Sequence, residues 1–125
     1  MAASWRFWAE EEEDRLCLAW VLHADSNFDL QWKYIHDAYQ KMNPTAYSCQ
    51  EMELERRWKI YNKQVCEFEE IFLQSRRILG DGATEAEVLI HARERYENKF
   101  KGPFMKHEWW VAVKDSEKWR RYYEF

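Results

Sequence analysis

Trp8, Trp20, Trp32 and Trp58 fall at the cores of three consecutive segments whose apolar residues recur every three or four positions. That period is helical, and large indoles recurring from helix to helix are satisfied when the helices close around them as a small bundle. The chain carries only three Gly and two Pro in 125 residues, and no stretch alternates apolar and polar side chains for long. Strands and hairpins therefore have little to work with, and the expectation is an all-α fold. Eight Trp, seven Tyr and seven Phe supply ample apolar area. At ~1.5–3 kcal/mol per buried large side chain they can offset the entropy of ordering the chain. The length suits one domain over residues 1–125.

The pattern predicts five helices. The first spans residues 9–23, opens on Glu10, Glu11, Glu12, Glu13 and Asp14 where the helix dipole favours negative charge, and turns Trp8, Leu16, Trp20 and His23 inward. The acidic run reads as a solvated helix start. The second spans residues 29–41 with Trp32, Ile35, His36 and Tyr39 on one stripe, and Asn43-Pro44 ends it. Ser48 with Glu51 reads as a capping box for the third helix, which nothing interrupts between residues 49 and 79. Its stripe of Leu54, Trp58, Tyr61, Val65, Phe68 and Phe72 steps by four and three for about five turns, and Gly80-Asp81-Gly82 provides the stop. Thr84 with Glu87 opens a fourth helix to about residue 99, with Val88, Leu89, Ala92 and Tyr96 inward. Gly102-Pro103 leads into a fifth, where Met105, Trp109, Ala112 and Val113 face the core and Trp119 follows. A three-helix core over residues 7–79, a long third helix, and a two-helix C-terminal extension over residues 84–119 result. Its structural core is Trp8, Trp20, Trp32, Leu54, Trp58, Phe68, Trp110 and Trp119.

Local strings within these segments carry a family resemblance. Phe7-Trp8, then Glu11-Glu12-Glu13-Asp14, Leu16 and Ala19-Trp20 match a first helix built from an aromatic pair, an acidic run and an Ala-Trp pair. Trp32, Ile35 and Tyr39 match a second helix, and Leu54, Arg57, Trp58, Ile60, Val65 and Phe68 a third. Ala92, Tyr96, Phe104, His107, Trp110, Lys114, Lys118 and Trp119 match a helical region that follows. Over residues 7–119 the chain resembles the Myb/SANT-like trihelix domains of plant transcription factors with a "no apical meristem-associated" region and of Harbinger-type transposon-derived proteins. The resemblance implies a nuclear module that binds double-stranded DNA through the third helix, with Gln50, Glu53, Arg56 and Arg57 nearest the bases or phosphates and Lys59 and Lys63 continuing that face. The chain departs from the family pattern at Cys49, where a basic residue usually stands, and at Glu117, where Pro does. The spacing from His107 to Trp119 is also one residue longer.

Charge sets a second reading beside the first. Phosphate neutralisation dominates DNA affinity, yet the net charge is -4, and residues 1–40 hold eight acids against Arg6, Arg15 and Lys33. Basic residues gather at Arg56, Arg57, Lys59 and Lys63, and again at Lys101, Lys106, Lys114, Lys118, Arg120 and Arg121. Glu53 with Arg57 and Glu55 with Lys59 are also spaced as ordinary surface pairs. The alternative is an acidic SANT-type module that binds a protein without DNA, through its acidic first and second helices or through the aromatic tail Trp119, Tyr122, Tyr123 and Phe125.

No catalytic, cofactor or metal site is expected. His107-Glu108 would open a zinc-protease string only with His at position 111, which is Val111, and no glycine-rich phosphate loop exists. His23, His36 and His91 lie on or beside apolar stripes, where a hydrogen-bonded core role is the ordinary one. Cys17, Cys49 and Cys66 form no framework. On one helix Cys49 and Cys66 stand roughly 25 Å apart, far beyond disulfide reach. No leader pattern and no apolar span of membrane length is present, so an intracellular, soluble protein is expected, with a secreted origin left open.

Overall fold

The computed structural model describes residues 10–23, 31–42 and 50–123, with side chains described as far as Arg120. Six helices follow in order: α1 (Glu10–Leu22), α2 (Gln31–Met42), α3 (Glu51–Leu79), α4 (Glu85–Phe100), α5 (His107–Val113) and α6 (Glu117–Tyr123). The described residues contain no strand, and the fold is all-helical. Trp8 and Cys49, the Asn43-Pro44 stop, Ser48 of the expected first capping box, and Phe125 lie outside the described residues.

α3 is the axis of the molecule, 29 residues and therefore about 43 Å long. Its stripe buries Leu54, Trp58, Val65, Phe68 and Phe72. The first half packs against α1 and α2, where Trp58 stacks on Trp20 with centroids 4.9 Å apart and meets the edge of half-buried Trp32 at 5.9 Å. The second half packs against α4 and α5, where Phe68 stacks on Phe104 at 4.1 Å and meets Trp110 edge-on at 5.3 Å. Tyr61 against Trp109, 5.4 Å edge-on, joins the two aromatic groups into one core running from Leu16 to Trp119.

The turn between α3 and α4 follows from local chemistry. Gly80 takes φ 80°, a left-handed conformation that side chains resist, and its N–H donates to the Arg76 carbonyl at 3.0 Å. Thr84 then accepts from the Glu87 N–H at 3.2 Å while the Glu87 carboxylate accepts from the Thr84 N–H at 2.9 Å. This capping box satisfies two donors that would otherwise be unpaired at a helix start.

Three sequence expectations need correction. A sixth helix exists, making three helices after α3 rather than two: Ser116 Oγ accepts from the Trp119 N–H at 3.3 Å, and Glu117 occupies the first turn where its charge suits the helix dipole. Met105 and Ala112 are exposed, because α5 lies between α3 and α1 and turns Trp109, Trp110 and Val113 inward instead. The acidic start of α1 is only partly solvated: Tyr39 Oη donates to Glu12 at 3.1 Å, and Glu13 accepts from Tyr61 Oη at 2.7 Å and from Lys106 Nζ at 2.6 Å. Asp14 beside them is held above the usual carboxylate range, first by burial and then by the charge of Glu10.

Burial also raises the thiols, Cys17 to about 12 and Cys66 to about 11. The thiolate is the reactive form, so near pH 8 both groups are almost wholly protonated. Iodoacetamide is expected to leave Cys17 and Cys66 unmodified in the folded protein and to modify both in denaturant, read by peptide mass mapping. Rapid labelling of Cys17 in the folded protein would contradict its burial.

Candidate contact face of the third helix

Helical geometry divides five of the six candidate contact residues into two groups and leaves Gln50 at the helix start. Arg56, Lys59 and Lys63 lie three and four apart and are exposed, with exposed Met52 and Ile60 on the same side. Together with Glu55 they line a shallow groove of about 420 Å³ along the outer surface of α3. Glu53 and Arg57 turn the other way. Glu53 is half-buried, and its Oε1 is enclosed without a hydrogen-bond partner. Arg57 donates to Tyr61 Oη at 3.4 Å, and that hydroxyl donates to Glu13. Gln50 is exposed at the N-cap with extended backbone, at the end of the same helix. The structure thus brings Arg56, Lys59 and Lys63 together, and directs Glu53 and Arg57 towards the protein.

Within the exposed group the cations differ. Lys59 Nζ sits 2.9 Å from the Glu55 carboxylate, an i, i+4 pair in which both side chains stay well solvated. Such a pair is worth only a few tenths of a kcal/mol, so an approaching anion can draw Lys59 away from it. Arg56 and Lys63 stand on either side. Met52, 81% exposed, stands one turn before Arg56, and Ile60, 53% exposed, stands between Lys59 and Lys63 along the helix. Isolated exposed apolar residues are ordinary, but two on one helical face, rimmed by cations, form an amphipathic contact strip.

The second basic group of the sequence disperses into internal pairs. Lys106 is nearly buried, held by Glu13 and lying 4.2 Å over the Tyr61 ring. Lys114 reaches Glu85 at 3.6 Å, and Lys118 Nζ donates to buried Gln31. Arg120 donates to Glu69 at 2.9 Å. Lys101 remains exposed, and the side chain of Arg121 lies outside the described residues. The basic C-terminus therefore fastens α5 and α6 to the bundle, which leaves α3 as the described element presenting aligned cations.

Glu69 is the residue that sequence reasoning missed. It is 1% exposed in the middle of α3, where it accepts from the Trp110 indole N–H at 2.8 Å and from Arg120. One heptad earlier, buried Asn62 accepts from the Trp119 indole N–H at 2.7 Å. The available signal was the seven-residue spacing of two acceptors along a helix whose partners bring indoles that need them. Tyr122 and Tyr123 extend α6, but their side chains, with Phe125, lie outside the described residues. Among the described residues no cluster of three His, Cys, Asp or Glu side chains could hold a metal ion, and no helix is long and apolar enough to cross a membrane.

No protein-family model matches the chain, and neither a curated protein nor a solved structure does.

Proposed function

We propose that the protein is a Myb/SANT-like nuclear recognition module, a binding rather than a catalytic protein, that offers the exposed face of α3 to double-stranded DNA. The observation that carries the reading is the alignment of Arg56, Lys59 and Lys63 on one solvent-facing side of a helix whose opposite side is locked by Trp58. A rigid helix of this kind fits the major groove, and the cations reach the phosphates that border it. Met52 and Ile60 are apolar groups of the sort that meet thymine methyls. The Myb/SANT resemblance supports the same assignment of the third helix.

Three phosphate contacts make a weak, salt-sensitive binder. At ~0.9 per phosphate, the slope of log K against log salt is about -2.7, so raising salt from about 50 to about 200 mM weakens binding roughly 40-fold. Fluorescence anisotropy with a labelled random duplex measures this. The double variant Arg56→Ala, Lys63→Ala is expected to abolish binding at low salt. Retention of binding by that variant rejects this face of α3 as the DNA contact, and no binding by the parent at low salt rejects DNA as the ligand.

Met52 and Ile60 also favour a second reading, in which a protein partner with acidic and apolar side chains on one face covers the same strip. The variant Met52→Ser, Ile60→Ser separates the two. It retains most non-specific DNA affinity, which comes from phosphates, and loses a protein partner anchored by apolar contact.

A further inference from the structure

At the far end of α3, distant from the basic strip, the turn into α4 leaves a second depression. Leu79, Gly82, Ala83, Ile90 and His91 line it together with Glu87 and Glu94, and its volume is about 510 Å³. Leu79 is 39% exposed and Ile90 61% exposed. His91 is fixed at the floor by a 2.9 Å hydrogen bond between its Nδ1 and the Oγ of fully buried Ser75. Gly82 has nothing within 4 Å of where a Cβ would stand, so the rim is open on that side. The groove therefore has an apolar centre, a pinned wall and carboxylates at both ends.

We infer that this groove is a docking site for a short basic segment of a protein partner, one apolar side chain flanked by two lysines or arginines. Two features select that occupant. Glu87 and Glu94 are seven residues apart on α4, about 10 Å along its axis, with Ile90 between them. In an extended segment alternate side chains share a face, so cations at its first and fifth positions stand about 13 Å apart on either side of an apolar side chain at the third, close enough for flexible lysines or arginines to reach both carboxylates. Glu87 is held below the usual carboxylate range by its hydrogen bonds to Thr84, so it keeps its charge throughout the neutral range. A second copy of the chain fits less well. Stable association needs about 800 Å² from each partner, far more than the exposed parts of Leu79 and Ile90 offer, whereas a peptide needs one filled pocket and two ion pairs.

The test uses a fluorescein-labelled peptide, Gly-Gly-Lys-Ser-Leu-Ser-Lys-Gly-Gly, titrated with the full chain at low salt. Two control peptides replace the Leu by Ser or both Lys by Glu. The parent peptide is expected to bind with each control weakened at least about tenfold, one lost anchor being worth about that factor. Ile90→Ser and Glu94→Lys alter exposed residues and leave the core intact, so thermal melting stays unchanged while binding of the parent peptide falls by a similar factor. The inference is overturned if the parent peptide does not bind, if the Ser control binds equally well, or if both variants bind like the parent chain, which places the peptide on the acids of α1. The residues involved are separate from those of the DNA assay, so either result stands without the other.

Discussion

Replacing Trp58 by alanine is expected to destabilise the protein by ~3–5 kcal/mol, the range for removing a large aromatic from a close-packed core. The indole is 1% exposed, lies flat on Trp20 and takes the edge of Trp32, so its loss opens a cavity where three helices meet. Domains of this size have only about 5–15 kcal/mol in total. The thermal midpoint should fall by at least ~10 °C, and the cooperative transition is lost altogether if the parent lies at the lower end of that range. Circular dichroism melting reads the outcome. An unchanged midpoint would show that the indole stack does not hold α1, α2 and α3 together.

The second large effect is expected at Arg120. Glu69 is buried in α3 with two partners, the Trp110 indole and the Arg120 guanidinium, and only the latter brings positive charge. Arg120→Ala leaves a nearly water-free carboxylate without its counter-charge. Breaking a fully buried pair costs ~3–5 kcal/mol. The Arg120 side chain is 42% exposed and water reaches part of the gap, so a loss of about 2–3 kcal/mol is expected in urea denaturation near neutral pH. Adding Glu69→Gln to the same chain removes the charge while keeping an acceptor for Trp110, and should recover about 1 kcal/mol or more. A single variant within about 0.5 kcal/mol of the parent would mean that α6 contributes nothing through this pair. Both effects act on the fold rather than on ligand contact, which keeps them separable from the α3 surface variants.

The elements legible in the sequence are those specified by neighbours in the chain. The long third helix follows from a stripe stepping by four and three, its end from Gly80, and the start of α4 from Thr84 and Glu87, all interactions within a few residues. What the sequence hid depends on partners far along the chain. Lys106 reads as part of a basic cluster until the fold sets it beside Glu13, 93 positions away, and Arg120 until it meets Glu69, 51 positions away. α6 is only seven residues long, too short to be stable from propensity alone, and forms because Trp119, Lys118 and Arg120 all find partners on other helices. The inward face of α5 departs from a single stripe because adjacent Trp109 and Trp110 serve two different neighbours, Tyr61 on one side and Phe68 on the other. On α3, the charges alone could not separate Arg56 from Arg57. A rotation of one residue on a helix, about 100°, takes the second out of the contact strip and into the hydrogen-bond chain of Tyr61 and Glu13.

The most direct test of the proposed contact face is a backbone amide spectrum of the isotopically labelled protein, recorded while a short random-sequence duplex is added at low salt. The largest shifts are expected within the stretch from Met52 to Lys63, centred on Arg56, Lys59 and Ile60, with the amides of α4 undisturbed. Shifts concentrated in α5 and α6, or no shifts anywhere, would contradict the assignment of α3 as the DNA-contacting surface.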